Sequence, residues 1–291
     1  MFQKLTIIGF GLIGSSLAKA LRAASHEGHI CCGDQSQEVC EIVAEHQLAD
    51  SVTTDLKEAV RDADIIMLAV PVGAMGAVAQ EIGPHLSENA IVTDTGSVKG
   101  AVIEAVKPHI PEHAHFIAGH PIAGTEFSGP LAGFPELFQG RWVILTPSPD
   151  DELRAVERVT ALWEATGATI EIMSVAHHDL ILGITSHLPH LIAYTIVGTA
   201  TDLEDDIKGE VVKFSASGFR DFTRIAASNP TMWRDVFLNN KSAVLEILQR
   251  FNEDLTALQR AIRHGDGDYL YRTFERTRDL RSAIIDAGQA D

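Results

Sequence analysis

The sequence is poor in positive charge, in aromatic side chains and in cysteine. Its 291 residues include 23 Lys and Arg against 40 Asp and Glu, and the formal net charge is −17. Because a nucleic-acid backbone needs a basic face, this composition argues against DNA or RNA as a partner. The three cysteines, Cys31, Cys32 and Cys40, have neither CxxC nor zinc-ligand spacing. We therefore expect no metal site, and core thiols in a reducing compartment, the cytoplasm.

Long runs without charge are also scarce. Residues 180–201 contain no Asp, Glu, Lys or Arg, and their length would just cross a bilayer. Ser186 and Pro189 interrupt the middle of this stretch, and no aromatic belt or basic flank frames it. We expect a buried pair of helices and no membrane association. The first predicted strand begins near residue 5, so we also expect no signal peptide.

A glycine-rich turn joins the first predicted strand, residues 5–8, to the first predicted helix, residues 12–24. Its pattern is Gly9-x-Gly11-x-x-Gly14. Gly9 permits a tight turn, Gly11 lets the backbone approach a pyrophosphate, and Gly14 lets the helix pack closely on the strand. The free N–H groups of the helix N-terminus favour the anion. The pattern therefore predicts a dinucleotide-binding turn.

An acidic residue follows at the spacing that this class of turn uses. Asp34 stands 20 residues after Gly14, at the end of a second apolar run. A carboxylate there accepts hydrogen bonds from the ribose hydroxyls of NAD and repels the 2′-phosphate of NADP. Its neighbours supply no Arg or Lys for that phosphate; they are Cys32, Gly33, Gln35 and Ser36. We expect NAD as the cofactor.

Strands and helices alternate in the first part of the chain, and helices alone follow. Further strands are predicted at residues 30–32, 64–70, 90–94, 116–119, 143–146 and 168–172, with helices at 39–46, from 98, and at 151–166. This order is typical of a Rossmann domain, an α/β fold with a doubly wound, mainly parallel sheet. Helical spacing then marks residues 175–186, 188–200, 230–252 and 268–285. We predict a Rossmann domain over residues 1–173 and a helical substrate-binding and dimerisation domain over residues 174–291.

The predicted helical domain is rich in Leu, Ile and Val, which favours burial between two subunits. We expect a homodimer, on the base rates for soluble proteins. The alternative is a monomer whose helices pack only on each other.

Polar residues follow several predicted strands at their carboxyl ends, where open α/β sheets bind ligands. Residues 69–71 would flank the nucleotide, and residues 94–97 lead into a helix. His120 lies between Gly119 and Pro121, where the nicotinamide is expected. A neutral imidazole can accept a hydroxyl proton. A histidine that only stabilises a turn is the alternative, but the position at a strand end favours catalysis.

A second polar cluster lies in the helical part. His187 and His190 flank Pro189, which should interrupt or kink the helix and turn side chains toward a cleft. Arg220 and Arg224 are four positions apart and would share one helix face. A guanidinium suits a substrate carboxylate, although either arginine could instead pair with a nearby Asp or Glu.

Several motifs together resemble the prephenate/arogenate (cyclohexadienyl) dehydrogenases of tyrosine biosynthesis. Besides the glycine fingerprint they are DTGSVK at 94–99, GHPIAGTE at 119–126, SHLPH at 186–190, GFRDFTR at 218–224 and WRD at 233–235. The resemblance implies a Rossmann domain with a helical dimerisation domain. It also implies NAD-dependent oxidative decarboxylation of prephenate or arogenate, with no choice between the two. Tyrosine would inhibit, if at all, at the active site.

The resemblance also implies roles for individual residues. His120 corresponds to the catalytic histidine, Ser97 to the serine that holds the ring hydroxyl, and Arg224 to the arginine for the ring carboxylate. The remaining substrate candidates are His190, His187, Ser186, Arg220, Thr125 and Glu126; position 220 is lysine in some relatives. The expected cofactor contacts are Gly9, Gly11, Leu12, Ile13, Gly14, Asp34, Val70, Pro71 and Thr95.

Two other functions fit parts of the pattern. A β-hydroxyacid dehydrogenase would share the architecture, but it relies on a lysine of the helical domain. Here Lys208, Lys213 and Lys241 lie in no such motif. A nucleotide-binding regulator without chemistry would need neither His120 nor Arg224.

Overall fold

The computed structural model describes residues 2–125, 127–202, 213–214 and 216–286. Its largest element is a six-stranded parallel sheet in the order β3-β2-β1-β4-β5-β6. The strands are β1 (Lys4–Ile8), β2 (His29–Gly33), β3 (Ser51–Thr53), β4 (Ile65–Leu68), β5 (Ile91–Asp94) and β6 (His115–Ile117). The strand order reverses between β1 and β4, and this switch point opens a crevice at the carboxyl ends of the strands.

Helices cover both faces of this sheet. They are α1 (Leu12–Ala23), α2 (Gln37–Glu45), α3 (Leu56–Ala59), α4 (Val72–Ile82) and α5 (Lys99–Val106). Two clusters of buried apolar residues form the core, one built around Leu17 and Trp163, the other around Met75 and Ile66. β3, α3 and α4 have no counterpart among the predicted elements. β3 is only three residues long, and α4 consists mostly of small apolar residues without a polar face.

A second sheet of three strands follows. It contains β7 (Gly119–Pro121), β8 (Trp142–Leu145) and β9 (Thr169–Ile172), and α6 (Leu153–Glu164) connects the last two. β7 pairs antiparallel with β8, and β8 pairs parallel with β9.

The prediction of one continuous strand at 116–119 and one shared sheet is therefore wrong in this region. The Ala118 carbonyl accepts from the Thr146 N–H at 2.9 Å, and the Gly119 N–H donates to the Asp94 carboxylate at 3.1 Å. The chain thus leaves β5 and pairs with β8 from residue 119 onward. This change of partner brings His120 to the carboxyl end of β5.

Only helices follow β9 in the described chain. They are α7 (Val175–Leu182), α8 (Leu188–Thr201), α9 (Ser217–Thr223), α10 (Pro230–Asn239), α11 (Lys241–His264) and α12 (Gly267–Asp286). A π-helical turn, Gly183–His187, separates α7 from α8 just before Pro189, as the predicted interruption requires. The predicted helix at 230–252 is divided at Asn240 and extends to His264.

The chain divides into two compact units, Met1–Ala243 and Val244–Asp291. The boundary predicted near residue 173 stays a prediction. In the first unit, Val175–Thr201 is long and apolar enough to cross a membrane by length and composition alone, and 22% of its most apolar window is buried. The expectation of a buried helix pair is thus not met within one chain, because most side chains of α8 keep partial solvent access.

Candidate active site

The glycine turn after β1 has the shape that a dinucleotide needs. Gly9 has a φ of +88°, and a Cβ there would lie 2.6 Å from the Ala69 carbonyl oxygen. A Cβ on Gly14 would meet the Gly9 carbonyl and lie 2.9 Å from Cγ2 of Ile7. At Gly11 a Cβ would meet nothing within 4 Å, so the space beside this residue is open. Close packing below the turn and open space above it fit a pyrophosphate at the N-terminus of α1.

Asp34 is positioned directly beside this turn. Its Oδ2 accepts from the Phe10 N–H at 3.0 Å, and its Oδ1 accepts from the Ser36 N–H at 2.9 Å. Each carboxylate oxygen keeps a further lone pair for a ribose hydroxyl. The residues present therefore fit NAD, and the first helical residues, Leu12 and Ile13, lie next to the same opening.

The other predicted cofactor residues follow β4 and β5. Pro71 caps α4, and Val70 lies within 2.7 Å of a Cβ built on Gly9. The Thr95 N–H donates to the Leu68 carbonyl at 3.1 Å. Ser97 is half-buried and lies two positions before α5. These segments thus lie at the same sheet edge as the glycine turn.

His120 is the first member of a buried chain of three side chains. Its Nδ1 lies 2.9 Å from Nε2 of His178, and Nδ1 of His178 lies 2.8 Å from Oδ1 of Asp179. His178 and Asp179 belong to α7, whereas His120 lies on β7. The Asp179 carboxylate also accepts from the Lys99 N–H at 2.8 Å and the Gly100 N–H at 2.9 Å, at the start of α5.

These contacts determine where the ring protons lie. Burial alone would raise the pKa of Asp179, but hydrogen bonds from His178 and from the Lys99 and Gly100 N–H groups hold it below its usual value. The carboxylate accepts, so Nδ1 of His178 carries the proton. Nε2 of a neutral His178 then accepts from the Nδ1–H of His120. The Nε2 of His120 is consequently left with a free lone pair, which is the form that a general base needs.

Burial also keeps His120 unprotonated. It lowers the pKa of His120 well below its ordinary value of 6.5, and the charges of His178, Lys99 and His187 lower it further. Burial likewise lowers the pKa of His178, whereas the hydrogen bond that His178 donates to Asp179 raises it. At neutral pH the base is therefore in its proton-accepting form.

A buried lysine holds the strand that carries His120. The Lys99 side chain has no solvent exposure, and its ammonium donates to the Asp94 carboxylate and to the Gly119 carbonyl. The Asp94 carboxylate also accepts from the Gly96 N–H at 2.7 Å. Through these contacts the ion pair connects β5 to the turn before α5 and to β7. Removing one partner of such a pair leaves a buried charge, which is strongly destabilising.

A second group of side chains lies around the π-helical turn. Nδ1 of His190 donates to the Ser186 carbonyl at 2.9 Å, and its ring stacks on Trp233 with centroids 3.6 Å apart. Burial lowers the pKa of His190, the Ser186 bond opposes this, and the charge of Arg224 lowers the pKa further. Arg224 is thus close enough to act on His190 electrostatically. It begins a short 3-10 turn after α9, one residue past the helix that was predicted to carry it together with Arg220.

His187 is fully buried beside this group. Burial lowers its pKa to about 4, partly offset by the charge of Asp179 and the backbone of Ser97. Its Nδ1 lies 3.1 Å from Nδ2 of Asn240.

The other predicted substrate residues that the structure describes, Arg220 and Thr125, are exposed. Arg220 is exposed on α9. Thr125 is exposed, and its hydroxyl accepts from the Phe127 N–H within the same turn. Glu126 lies outside the described residues.

Four residues of this site were not predicted from the sequence: His178, Asp179, Lys99 and Asn240. Lys99 belongs to the DTGSVK motif, but that motif assigns it no role, and Asp179 lies just before the uncharged stretch at 180–201. No spacing rule links residues 120, 178 and 240, because their meeting depends on how α7 and α10 pack on the Rossmann sheet.

Comparison with known proteins is consistent with this geometry. Residues 17–172 match the family model for the prephenate dehydrogenase nucleotide-binding domain, and residues 174–276 match the model for the prephenate dehydrogenase dimerization domain. A cyclohexadienyl dehydrogenase of Zymomonas mobilis is 43% identical over 98% of this chain and 97% of its own. A prephenate dehydrogenase of Bacillus subtilis is 31% identical over 98% of this chain and 76% of its own.

Solved structures give the same result. Prephenate dehydrogenase from Aquifex aeolicus, in complex with hydroxyphenyl propionate and NAD⁺, superposes with a TM-score of 0.91 at 34% identity, covering 98% of this chain and 99% of that one. Arogenate dehydrogenase from Synechocystis superposes with a TM-score of 0.81 at 30% identity, covering 97% and 99%. With both family models matched along the chain and relatives similar over nearly its full length, this protein belongs to the prephenate dehydrogenase family.

Proposed function

We propose that this protein oxidatively decarboxylates prephenate, arogenate or both in tyrosine biosynthesis, and that it uses NAD. Membership of the family and the similarity to relatives named for either substrate support this reaction class. The observation that carries the proposal is the buried chain His120–His178–Asp179, which leaves an unprotonated Nε2 on His120 at the carboxyl end of the sheet.

In the proposed mechanism, Nε2 of His120 accepts the proton of the C4 hydroxyl, while Ser97 hydrogen-bonds the same oxygen. The glycine turn and Asp34 would hold NAD, which would supply the acceptor for the hydride of C4. The bond between the ring and its carboxylate then breaks, and carbon dioxide leaves as the ring becomes aromatic. Because aromatisation drives that loss, the side chains need only position the ring and remove one proton, and proton removal typically contributes about 10²–10⁴-fold.

The ring carboxylate of the substrate needs a cationic partner, and Arg224 is our candidate for that role. It lies near His190, whose ring is fixed by Trp233 and the Ser186 carbonyl. Because Nδ1 of His190 carries the proton, its Nε2 is unprotonated. The remaining candidates for substrate binding are His187, Ser186, Arg220, Thr125 and Glu126.

Arg224→Ala should therefore raise KM for the cyclohexadienol while kcat changes little, because a carboxylate clamp acts on the ground state and the transition state alike. Steady-state kinetics with saturating NAD measures this. Arg154→Ala is the control, since Arg154 is exposed on α6 and is not a substrate candidate. A collapsed kcat at unchanged KM in the Arg224 variant would assign the arginine to the transition state instead.

Further parts of the proposal concern the assembly and its surroundings. We propose a homodimer, supported by the matched dimerization model and by the apolar helix Val175–Thr201, which one chain leaves largely uncovered. The three free, buried cysteines suit the reducing cytoplasm. Tyrosine shares the hydroxyphenyl ring of the products and would compete at the same site.

The decisive experiment measures NADH formation by the purified protein with prephenate and with arogenate. Turnover with either establishes oxidative decarboxylation, and the ratio of the two kcat/KM values gives the preferred substrate. Tyrosine added to the assay shows whether inhibition is competitive. Demonstrable NAD binding without turnover of either compound would reject the proposal and favour a hydroxyacid dehydrogenase or a regulatory protein.

A further inference from the structure

Asn240 is a buried side chain that the mechanism above does not use. It ends α10, immediately before α11, and is 5% exposed. Its backbone N–H donates to the Val236 carbonyl, so the residue itself is fixed by the helix end. The side-chain amide points back toward α7 and the π-helical turn. There it contacts two groups, the Asp179 backbone carbonyl and the His187 ring.

The first contact determines which way the amide faces. Nδ2 lies 2.8 Å from the Asp179 carbonyl oxygen. A carbonyl oxygen can only accept, so the atom facing it must be the NH₂ group and not the amide oxygen. The orientation therefore follows from chemistry, although nitrogen and oxygen have nearly the same shape.

The second contact then determines the tautomer of His187. The same NH₂ group lies 3.1 Å from Nδ1 of His187 and has a second hydrogen to donate. An Nδ1 that receives a hydrogen bond carries no proton of its own, so in the neutral ring the proton lies on Nε2.

The Nε2–H of His187 is left as a buried donor. Among the described residues this nitrogen makes no hydrogen bond of ordinary geometry, but the Ser97 backbone lies close enough to raise the pKa of the ring as an acceptor does. The ring is fully buried and edge-on to Trp233. A buried donor without an acceptor is costly. The Ser97 backbone is the acceptor that this donor faces, so the ring can hold the segment that carries the Ser97 hydroxyl.

We propose that Asn240 is a positioning residue that holds His187 in its Nε2–H tautomer, so that His187 donates to the Ser97 backbone and holds the Ser97 hydroxyl in place for the bound cyclohexadienol. The same amide secures the backbone of Asp179, and thereby links the His187 side of the site to the His120–His178–Asp179 chain. The kinetic part of this inference depends on the proposed function, whereas the tautomer does not.

The first test reads the tautomer in the unmodified protein. Histidine labelled with ¹⁵N in the full chain, with NAD bound, should show a protonated Nε2 and an unprotonated Nδ1 for His187. His187→Gln identifies the signal by its disappearance. A protonated Nδ1 at His187 would overturn the inference whatever the protein turns over.

The second test uses Asn240→Asp and its neighbour Asn239→Asp. An aspartate at 240 cannot donate to the Asp179 carbonyl, and it accepts from His187, which draws the proton to Nδ1. We expect the ¹⁵N signal to switch and KM for the cyclohexadienol to rise about tenfold, the loss of one hydrogen bond, while KM for NAD stays within twofold. Asn239 is exposed and donates only to the Asp235 carbonyl in the described structure, so its variant should behave like the parent protein.

Several other outcomes would also decide whether Asn240 positions His187. An Asn240→Asp protein with the parental tautomer and parental KM would overturn the inference, and so would equal losses in both variants. If Asn240→Asp fails to fold, Asn240→Ala and the tautomer of the unmodified protein give the answer. If the parent protein turns over neither substrate, the proposed function fails, and the ¹⁵N signals still decide the role of Asn240.

Discussion

At the scale of single residues, the site works through proton positions. His120 alone is an ordinary imidazole that could carry its proton on either nitrogen. The Asp179 carboxylate removes this freedom through His178, since each hydrogen bond in the chain has one donor and one acceptor. A buried Asp–His pair that sets the tautomer of a base is a known device in hydrolases, and the chain here adds one more ring.

Asp179→Asn tests this directly. The amide can donate to Nδ1 of His178, which shifts the His178 proton to Nε2 and obliges His120 to carry its proton on Nε2, the nitrogen that must act as base. We expect kcat to fall by about 10²–10⁴-fold, the contribution of general base catalysis, with NAD affinity unchanged. His120→Asn, which has no base at all, gives the lower limit. Parental kcat in Asp179→Asn would show that the chain has no catalytic role.

The pH dependence follows from the same burial. Only unprotonated His120 can accept the proton, and its pKa lies well below 6.5. As pH falls, kcat/KM should therefore stay level through 6.5 and decline only at lower pH, where His120 becomes protonated. The pH profile of kcat/KM at saturating NAD measures this. A decline centred at or above 6.5 would contradict the assignment.

At the scale of elements, the glycine turn separates packing from cofactor binding. Gly14 faces the strand, where a Cβ meets backbone, whereas Gly11 faces open space. One turn thus contains a position at which a methyl group disturbs the fold and another at which it disturbs only the ligand.

We expect Gly14→Ala to lower the free energy of unfolding by about 1–3 kcal/mol, because overpacking forces α1 away from β1. Gly11→Ala should keep the parental stability and weaken NAD binding, since its methyl group occupies the space beside the pyrophosphate. Thermal unfolding without NAD and calorimetric titration with NAD distinguish the two effects. Equal stability losses in both variants would refute the division of roles.

At the scale of the whole molecule, uncovered apolar surface is the dominant feature of the helical region. In the second unit, three apolar side chains of α11 recur on one face, Leu245, Leu255 and Ile262, and they are 54%, 46% and 68% exposed. Several exposed apolar side chains along one helix favour an interaction site. It accords with the proposed homodimer.

The homodimer predicts that Leu255→Glu combined with Ile262→Glu will shift the protein toward monomer, because two charges would be buried at the interface. Sedimentation velocity over a range of concentrations measures the association. Arg250→Glu is the control for added negative charge, because Arg250 is exposed on the same helix but lies on a different face from Leu255 and Ile262. A parent protein that sediments as a monomer would reject the homodimer.

The sequence by itself determined the parts of this protein that depend on neighbouring residues in the chain. The turn from Gly9 to Gly14, the acid at Asp34 and the interruption before Pro189 were predictable, because glycine, proline and short apolar runs act locally. His120 was predictable too, since residues that follow a parallel strand gather at one edge of the sheet.

Only the tertiary structure decided what His120 contacts. His178, Asp179 and Asn240 lie far from it in sequence, and their hydrogen bonds exist because α7 and the end of α10 pack against the Rossmann sheet. The change of sheet at Ala118 and the burial of Lys99 have the same origin. Such contacts depend on the packing of whole elements, for which periodicity and spacing along the chain contain no signal.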